Sequence, residues 1–558
     1  MISIEEKQSK HVPGLTSLFI SFRYNQDIVD KIKSQDCSYY NSKEKIWECP
    51  ISCLHNLLDE LCQIDTVELS LLKDKKEISK EIKLDTSKYQ TKPFDYQLEA
   101  IRYGLCHDKW MLLDAPGLGK TLTMILLAQE LKQRENIEHV LVICGVNSLK
   151  TNWKNEIRKH SKLSCKILGE RTKRTGNVVI GSIQDRVNDL KKKINEFIVI
   201  TNIETIRNND IVKNINKGPN RFDLVIIDEA HTIRTSSSIQ GENILKIKSP
   251  KYKVALTGTV ITNNPLDAYM PLKWIDKERS AKSTFEYFYT KYGGPFGNEF
   301  LGYRNIDYLK DQLSDCSLRR TKDLLNLPEK NIIHEFVDMN PKQLELYNNI
   351  KKGIIQQVDK VHISTANLLA MLARLRQATA CPSILTTENI KSSKIDRAID
   401  IIDQVTSNNE KIVIFSTFKE TLNVLSKELS NYNVLLCTGA TKESELQNNI
   451  DRFMNNDNYK ILLATWQKMG TGLTLTSATY ALFIDCPWTY AQCEQAEDRI
   501  HRIGSTKPVF IYYLWANESV DLRVKELVED KSLISSLIVD NEVPPMLKER
   551  LEKIIYEL

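Results

Sequence analysis

"WMLLDAPGLGKTLTMILLAQEL", Trp110–Leu131, changes its period in the middle. Trp110–Leu113 is an unbroken apolar run, "DAPGLG" supplies proline and two glycines, and the apolar residues that follow recur at helical spacing. The order is strand, glycine-rich loop, helix. Gly117 and Gly119, with the backbone of Leu118 between them, let N–H groups approach a phosphate closely. Lys120 then reaches the β- and γ-phosphates, and the Thr121 hydroxyl offers a Mg²⁺ ligand at the helix N-terminus. The full pattern places a glycine where this chain has Asp114. A coincidental glycine-rich turn is the bland alternative, and the flanking strand and helix argue against it.

Working outward, short apolar runs alternate with helical patterns between residues 94 and 275: "VLVIC" from 140, "FIVIT" from 197, "DLVIID" from 223 and "KVALTG" from 253. Buried strands alternating with helices read as a parallel α/β sheet. The run "LVIIDEAH" sets Asp228 and Glu229 at a strand's C-terminal end, where ligands of open α/β sheets bind. Asp228 suits Mg²⁺, and Glu229 suits orienting and deprotonating an attacking water. By itself the tetrapeptide would equally start a helix. The strand rhythm resumes at "KIVIFSTF" (411), "NVLLC" (433), "KILLAT" (460), "ATYALFID" (478) and "VFIYYL" (509).

The expected fold class is α/β, two RecA-like parallel-sheet lobes with a helical insertion and a small N-terminal α+β domain. The boundaries read as an N-terminal module over 1–70, a charged linker over 71–93, a first lobe over 94–275, a helical insertion over 276–390, a second lobe over 391–540 and a C-terminal helix over 541–558. The insertion shows aromatic and basic content but no strand rhythm. With 77 basic and 72 acidic residues the net charge is only +5, so affinity for nucleic acid must come from local clustering. The 12 cysteines form no CxxC pair, and the spacing of Cys37, Cys49, Cys53 and Cys62 fits no zinc pattern. No apolar run resembles a signal peptide or membrane span, so a cytoplasmic protein with reduced thiols is expected. The wealth of Asn, Ile and Lys fits an AT-rich bacterial, phage or viral source.

In "QAEDRIHRIGS", Gln495–Ser505, the residues Gln495, Arg499 and Arg502 share one face if the stretch is helical. Thr489 as a cap and Gly504 as a stop bound a helix of about fifteen residues. An ordinary surface pair between Asp498 and Arg502 would contribute about 0.3–0.5 kcal/mol and leaves Gln495 unexplained. Arginines that reach a transferring phosphoryl group can contribute 10³–10⁵ in rate.

The Lys120 loop, "DEAH" and "LTGTVITNNP" (256–265), in that order, resemble a superfamily-two helicase motor of the Swi/Snf type. The resemblance spans roughly residues 94 to 540 and implies ATP and Mg²⁺ as cofactors. "FDYQLEAI" resembles the segment upstream of the phosphate loop, which implies that Gln97 reads adenine with Phe94 or Tyr96 nearby. Thr257 and Thr259 would sense nucleotide state, while Val260 and Thr262 stand where the family usually has Pro and Gln. "QAEDRIHRIG" resembles the second-lobe motif whose arginines serve the phosphates, with Gln495 beside them, and "GTGLTLTSA" places Gly472 near the nucleotide and Thr474 where chromatin remodellers usually have Asn. That wording resembles the annealing-helicase, fork-remodelling branch. Phe22, Tyr39, Lys45, Trp47 and Pro50 resemble its HARP module over about residues 15 to 65; a small β domain serving as a folding cap is the equal alternative.

Hydroxyl, amide and basic residues at strand exits suit a sequence-independent grip on phosphates. Candidates are Asn147, Ser148, Lys150, Trp153, Thr201, Asn202, Ser416, Thr417, Thr465, Trp466 and Lys468, each also readable as a loop cap. Arg319, Arg320 and Lys322 in "SLRRTKDLLNLPEK" fit either a DNA contact or a solvated basic helix. The expected function is a DNA-dependent ATPase translocating on double-stranded or forked DNA in repair, a monomer in its motor, with little strand separation and no membrane role. The rivals are a translocase subunit of a restriction or defence system, a remover of stalled polymerase, and a non-catalytic DNA-binding scaffold.

Overall fold

The computed structural model describes residues 1–9, 16–35, 38–50, 53–70, 82–145, 149–172, 178–233, 238–248, 250–258, 265–276, 281–293, 299–325, 327–358, 365–469, 474–487 and 490–529. The chain forms two compact units, Met1–Ala115 with Gly119–Thr321, and Pro116–Leu118 with Lys322–Leu558. No helix among the described residues is long and apolar enough to cross a membrane.

Unit 1 opens with a small sheet of β1 (Ile2–Gln8), β2 (Thr16–Ser21), β3 (Tyr39–Asn41), β4 (Ile46–Pro50) and β5 (Val67–Ser70), ordered β3-β4-β2-β1-β5. Ile2, Ile4, Leu18 and Ile20 alternate toward one face, where α1 (Gln26–Lys33) and α2 (Leu54–Leu61) supply Ile28, Ile32, Leu57 and Leu61. This α+β layer has a core of its own.

The central sheet follows. After α3 (Asp95–Cys106) come β6 (Lys109–Leu112), α4 (Lys120–Glu135), β7 (His139–Cys144), α5 (Leu149–His160) and β8 (Cys165–Ile167). The antiparallel pair β9 (Glu170–Thr172) and β10 (Val178–Ile180) leads to β11 (Ile198–Asn202), β12 (Phe222–Asp228) and β13 (Tyr252–Leu256). A hairpin of β14 (Thr290–Gly293) and β15 (Glu299–Tyr303) precedes β16 (Ser317–Leu318). The order is β16-β6-β13-β12-β7-β11-β8, and every pairing is parallel. Neighbouring residues serve opposite cores: Leu141, Ile143, Val225 and Ile227 face one, Val140, Val142, Leu224 and Ile226 the other. Burial on both faces is why these strands read as continuous apolar runs.

Unit 2 repeats the plan with β17 (Lys330–Val337), β18 (Ile412–Ser416), β19 (Val434–Cys437), β20 (Ile461–Thr465), β21 (Tyr480–Phe483) and β22 (Val509–Ala516), ordered β17-β22-β21-β18-β20-β19 and all parallel. Its two cores again divide adjacent residues, Val413 and Phe415 against Ile412 and Ile414. Both units are the expected RecA-like α/β lobes.

Two expectations change. Residues 276–390 are not free of strands: they hold the β14–β15 hairpin, β16 on the first sheet and the eight-residue β17 on the second. β17 is an edge strand whose residues are partly buried or exposed, so Asn331, His334 and Glu335 mask its apolar rhythm. The stretch 82–93 is not wholly a solvated linker, because Tyr89 is buried and its hydroxyl donates to Glu130 Oε1 at 2.9 Å. Residues 71–81 and the expected helix over 541–558 lie outside the described residues.

Candidate functional site

The β6-to-α4 turn depends on glycine. Gly117 and Gly119 take φ of +91° and +76°, and a Cβ on Gly119 would stand 2.7 Å from Gln97 Nε2. Gln97 is buried; its Oε1 accepts from the Phe94 N–H at 3.0 Å and its Nε2 donates to the Gly119 carbonyl at 3.3 Å. The upstream segment therefore braces the loop directly. Phe94 is exposed and stacks on Tyr96 at 5.6 Å between ring centroids. Lys120, the first residue of α4, donates to the carbonyls of Asp114 and Ala115 at 2.8 and 3.4 Å, and Thr121 follows it in the first turn.

Asp114 is buried where the common pattern has glycine, and it needs a cation. Arg320 supplies one, donating to both Asp114 carboxylate oxygens at 3.2 and 3.3 Å and to Glu99 at 3.0 Å. Burial pushes the Asp114 carboxyl up, while Arg320 and Lys120 pull it down. Arg320 is thus neither a DNA contact nor part of a solvated helix.

Asp228 ends β12 on the same strand-end edge as the loop. Its Oδ2 accepts from the Trp153 indole at 2.8 Å and its Oδ1 from the Glu229 N–H at 2.9 Å. Burial first, then the charge of Glu229, raises the Asp228 pKa to about 6, while Trp153 and Lys120 oppose the rise. Glu229 adopts φ of +54°, a left-handed conformation rare outside glycine. Such a residue persists only where its surroundings hold it, here through the Thr232 hydroxyl donating to its carbonyl at 2.9 Å. His231 lies 3.4 Å from the Glu229 carboxylate and 3.1 Å from the Thr257 hydroxyl. The carboxylate pair and Thr257 are therefore linked through a residue the sequence reading did not single out. A hard cation fits this corner: a buried carboxylate whose ionisation burial opposes, with a hydroxyl on α4, forms an oxygen donor set.

In unit 2 the helix Tyr490–Glu497 stops two residues before Arg499. The chain then turns, with Arg499 N–H bonded to Ala496 O at 3.1 Å and Ile500 N–H to Glu497 O at 3.0 Å. The expected single helix face bearing Gln495, Arg499 and Arg502 is not formed. The physical cause is the burial of Glu497 and Asp498, which draw lysines from the segment 322–330. Lys330 donates to Glu497 Oε2 at 2.8 Å, Tyr513 donates to its Oε1 at 2.5 Å, and Lys322 pairs with Asp498. Arg499 is largely buried; its carbonyl accepts from the Leu475 N–H at 2.8 Å. Arg502 donates to the Thr474 hydroxyl at 3.0 Å, and Gly504 at φ of +103° closes the turn. Gln495, still in the helix, is partly buried.

The expected DNA track narrows. Trp153 packs on Asp228, and Lys150, Thr201, Asn202 and Thr465 are buried. Ser416 is fully buried and donates to Asp485, which also accepts from the Thr417 N–H at 2.8 Å, so Ser416 caps its loop. Thr417, Trp466 and Lys468 keep partial exposure. Asn147, Ser148, Thr259, Val260, Thr262, Gly472 and Thr489 lie outside the described residues.

Unit 1 thus joins a glycine loop and a carboxylate pair at one strand-end edge, and unit 2 repeats the parallel-sheet plan. A family model for the SNF2-related domain matches residues 49–384, and one for the helicase conserved C-terminal domain matches residues 393–504. The chain belongs to the SNF2-related family. It is 28% identical over 466 residues to an uncharacterized ATP-dependent helicase of Mycoplasma pneumoniae, covering 80% of this chain and 42% of that one. It is 24% identical over 472 residues to the DNA annealing helicase and endonuclease ZRANB3 of Bos taurus, covering 80% and 40%. The solved SWI2/SNF2 ATPase core of Sulfolobus solfataricus in complex with dsDNA is similar at 24% identity, covering 84% and 98%, with a TM-score of 0.38. The chain spans about two fifths of the length of these curated relatives.

Proposed function

We propose that this chain is a DNA-dependent ATPase that translocates on double-stranded DNA, acting in fork remodelling or strand annealing. The observation that carries the reading is the Lys120 loop and the Asp228–Glu229 pair on one strand-end edge of unit 1, with Lys120 acting electrostatically on Asp228. Lys120 and the loop N–H groups bind the phosphates of ATP, and Gln97 and Phe94 receive its base. Glu229, held beside His231, orients the attacking water and accepts its proton. Bound at Thr121 and Asp228, Mg²⁺ would neutralise charge on the phosphates. Arg499 and Arg502 serve the same nucleotide as electrostatic stabilisers, with Gln495 beside them. Thr257 reports nucleotide state through His231. Thr417, Trp466 and Lys468 remain the DNA contacts best supported by exposure.

The fork-remodelling part rests on the likeness to an annealing helicase and on the N-terminal sheet, whose Tyr39 and Tyr40 are exposed beside Trp47. ATP hydrolysis measured with linear and forked duplexes tests both parts. Lys120→Ala and Glu229→Gln should abolish DNA-stimulated turnover, and full turnover in either rejects the catalytic assignment. Tyr39→Ala with Tyr40→Ala should lose the preference for forks while keeping stimulation by linear duplex. An unchanged preference rejects the role of the N-terminal sheet.

A further inference from the structure

The stretch "LRRTK", Leu318–Lys322, crosses from unit 1 to unit 2, and its two ends are held in different ways. On the unit 1 side the backbone continues the ladder of β16 beside β6 beyond the strand: Leu113 N–H bonds to Leu318 O at 2.7 Å and Ala115 N–H to Arg320 O at 2.9 Å. The guanidinium of Arg320 pairs at 3.2 Å with Asp114, whose carbonyl receives Lys120 at 2.8 Å. Arg320 therefore sits under the residue that holds the phosphate-loop lysine. Two positions later, on the unit 2 side, Lys322 pairs with the buried Asp498 next to Arg499. The chain then runs along the arginine turn, with the Pro328 carbonyl 2.7 Å from His501 Nε2 and Lys330 on Glu497.

Neither pair behaves as a surface ion pair. Asp114 and Asp498 are each about 1% exposed, and removing one partner of such a pair strands a buried charge. Building a loop and a turn on buried carboxylates costs desolvation that an apolar pair would avoid, so the pairs need a role beyond stability. Their place supplies it, since Arg320 holds backbone beside the phosphate-binding Lys120 and Lys322 holds the turn that bears the proposed catalytic Arg499.

We propose that Arg320 and Lys322 are positioning residues, the first for the phosphate loop and the second for the arginine turn. This inference rests on the ATPase reading above.

The test uses the full chain, DNA-stimulated hydrolysis, and binding of a fluorescent ADP analogue. Arg320→Met should weaken analogue binding. Lys322→Met should leave binding unchanged and lower kcat on the order of 10²-fold, since small misplacements of catalytic groups cost that much. Lys322→Arg should recover most of kcat. Lys322→Met with Asp498→Leu removes the stranded charge, and should restore the melting curve but not kcat. Wild-type kcat in the double variant, or unchanged analogue binding in Arg320→Met, overturns the inference. If the wild-type chain shows no DNA-stimulated hydrolysis, or Lys120→Ala hydrolyses normally, the ATPase reading fails instead.

Discussion

Asp228 is one carboxylate with two donors, and the Trp153 indole is the one that a substitution can remove cleanly. Trp153→Phe keeps a ring in the site but leaves a buried acceptor without its donor, which costs about 1–3 kcal/mol. Denaturant unfolding should show that loss, and the Mg²⁺ concentration for half-maximal hydrolysis should rise. Wild-type stability together with wild-type Mg²⁺ dependence would show that the indole does not hold the carboxylate. The residues that matter here divide by how they signal themselves. Lys120, Asp228 and Glu229 lie in short patterns whose chemistry is local, so their pairing with a loop or a strand end is legible. Trp153 read as a nucleic-acid contact because it follows a strand exit, and only the path of α5 turns it onto Asp228.

The arginine turn makes the same point for an element. Its local pattern looks helical, yet two adjacent buried acids, each answered by a lysine more than a hundred residues away, end the helix at Glu497. Burial raises the Asp498 pKa to about 6 from an unfolded value near 3.8, against the pull of Lys322. A carboxyl whose folded pKa is raised binds its proton more tightly when folded. Its contribution is present below pH 3.8 and is lost as pH rises to about 6. Asp498→Asn, which does not ionise, should therefore flatten the fall in stability across that window, by up to about 3 kcal/mol. Thermal melts of both proteins between those pH values check this, and parallel curves would exclude the ionisation of Asp498 as a source. β17 is the converse case: a strand whose polar residues hid it, recognisable only once β22 is seen beside it.

At the scale of the molecule, each unit has its own central sheet with a core on either face, and unit 1 has a further core under its N-terminal sheet. Unfolding should then depart from two-state behaviour, with separable transitions in scanning calorimetry. ADP at a hundred times its Kd stabilises the state that binds it by about 2.7 kcal/mol. The transition of unit 1, which carries Lys120 and Asp228, should rise with ADP, and Lys120→Ala should abolish the rise. An ADP-independent calorimetric trace in the wild type would place the nucleotide elsewhere.

The sequence alone determined the two parallel sheets, because strands buried on both faces must be written in continuous apolar residues, and it determined the phosphate loop, because glycine at positive φ and lysine at a helix start have few substitutes. It also carried the carboxylate pair at the end of β12. What it could not determine is which charges are buried together. Arg320 with Asp114, Lys322 with Asp498 and Lys330 with Glu497 join residues 167 to 206 positions apart. Such partners have no period or spacing to announce them, and each charge read in isolation looks like solvated surface. Only tertiary packing removes the water that made the solvated reading sensible, and with it gone the same residues become the supports of the loop and the turn.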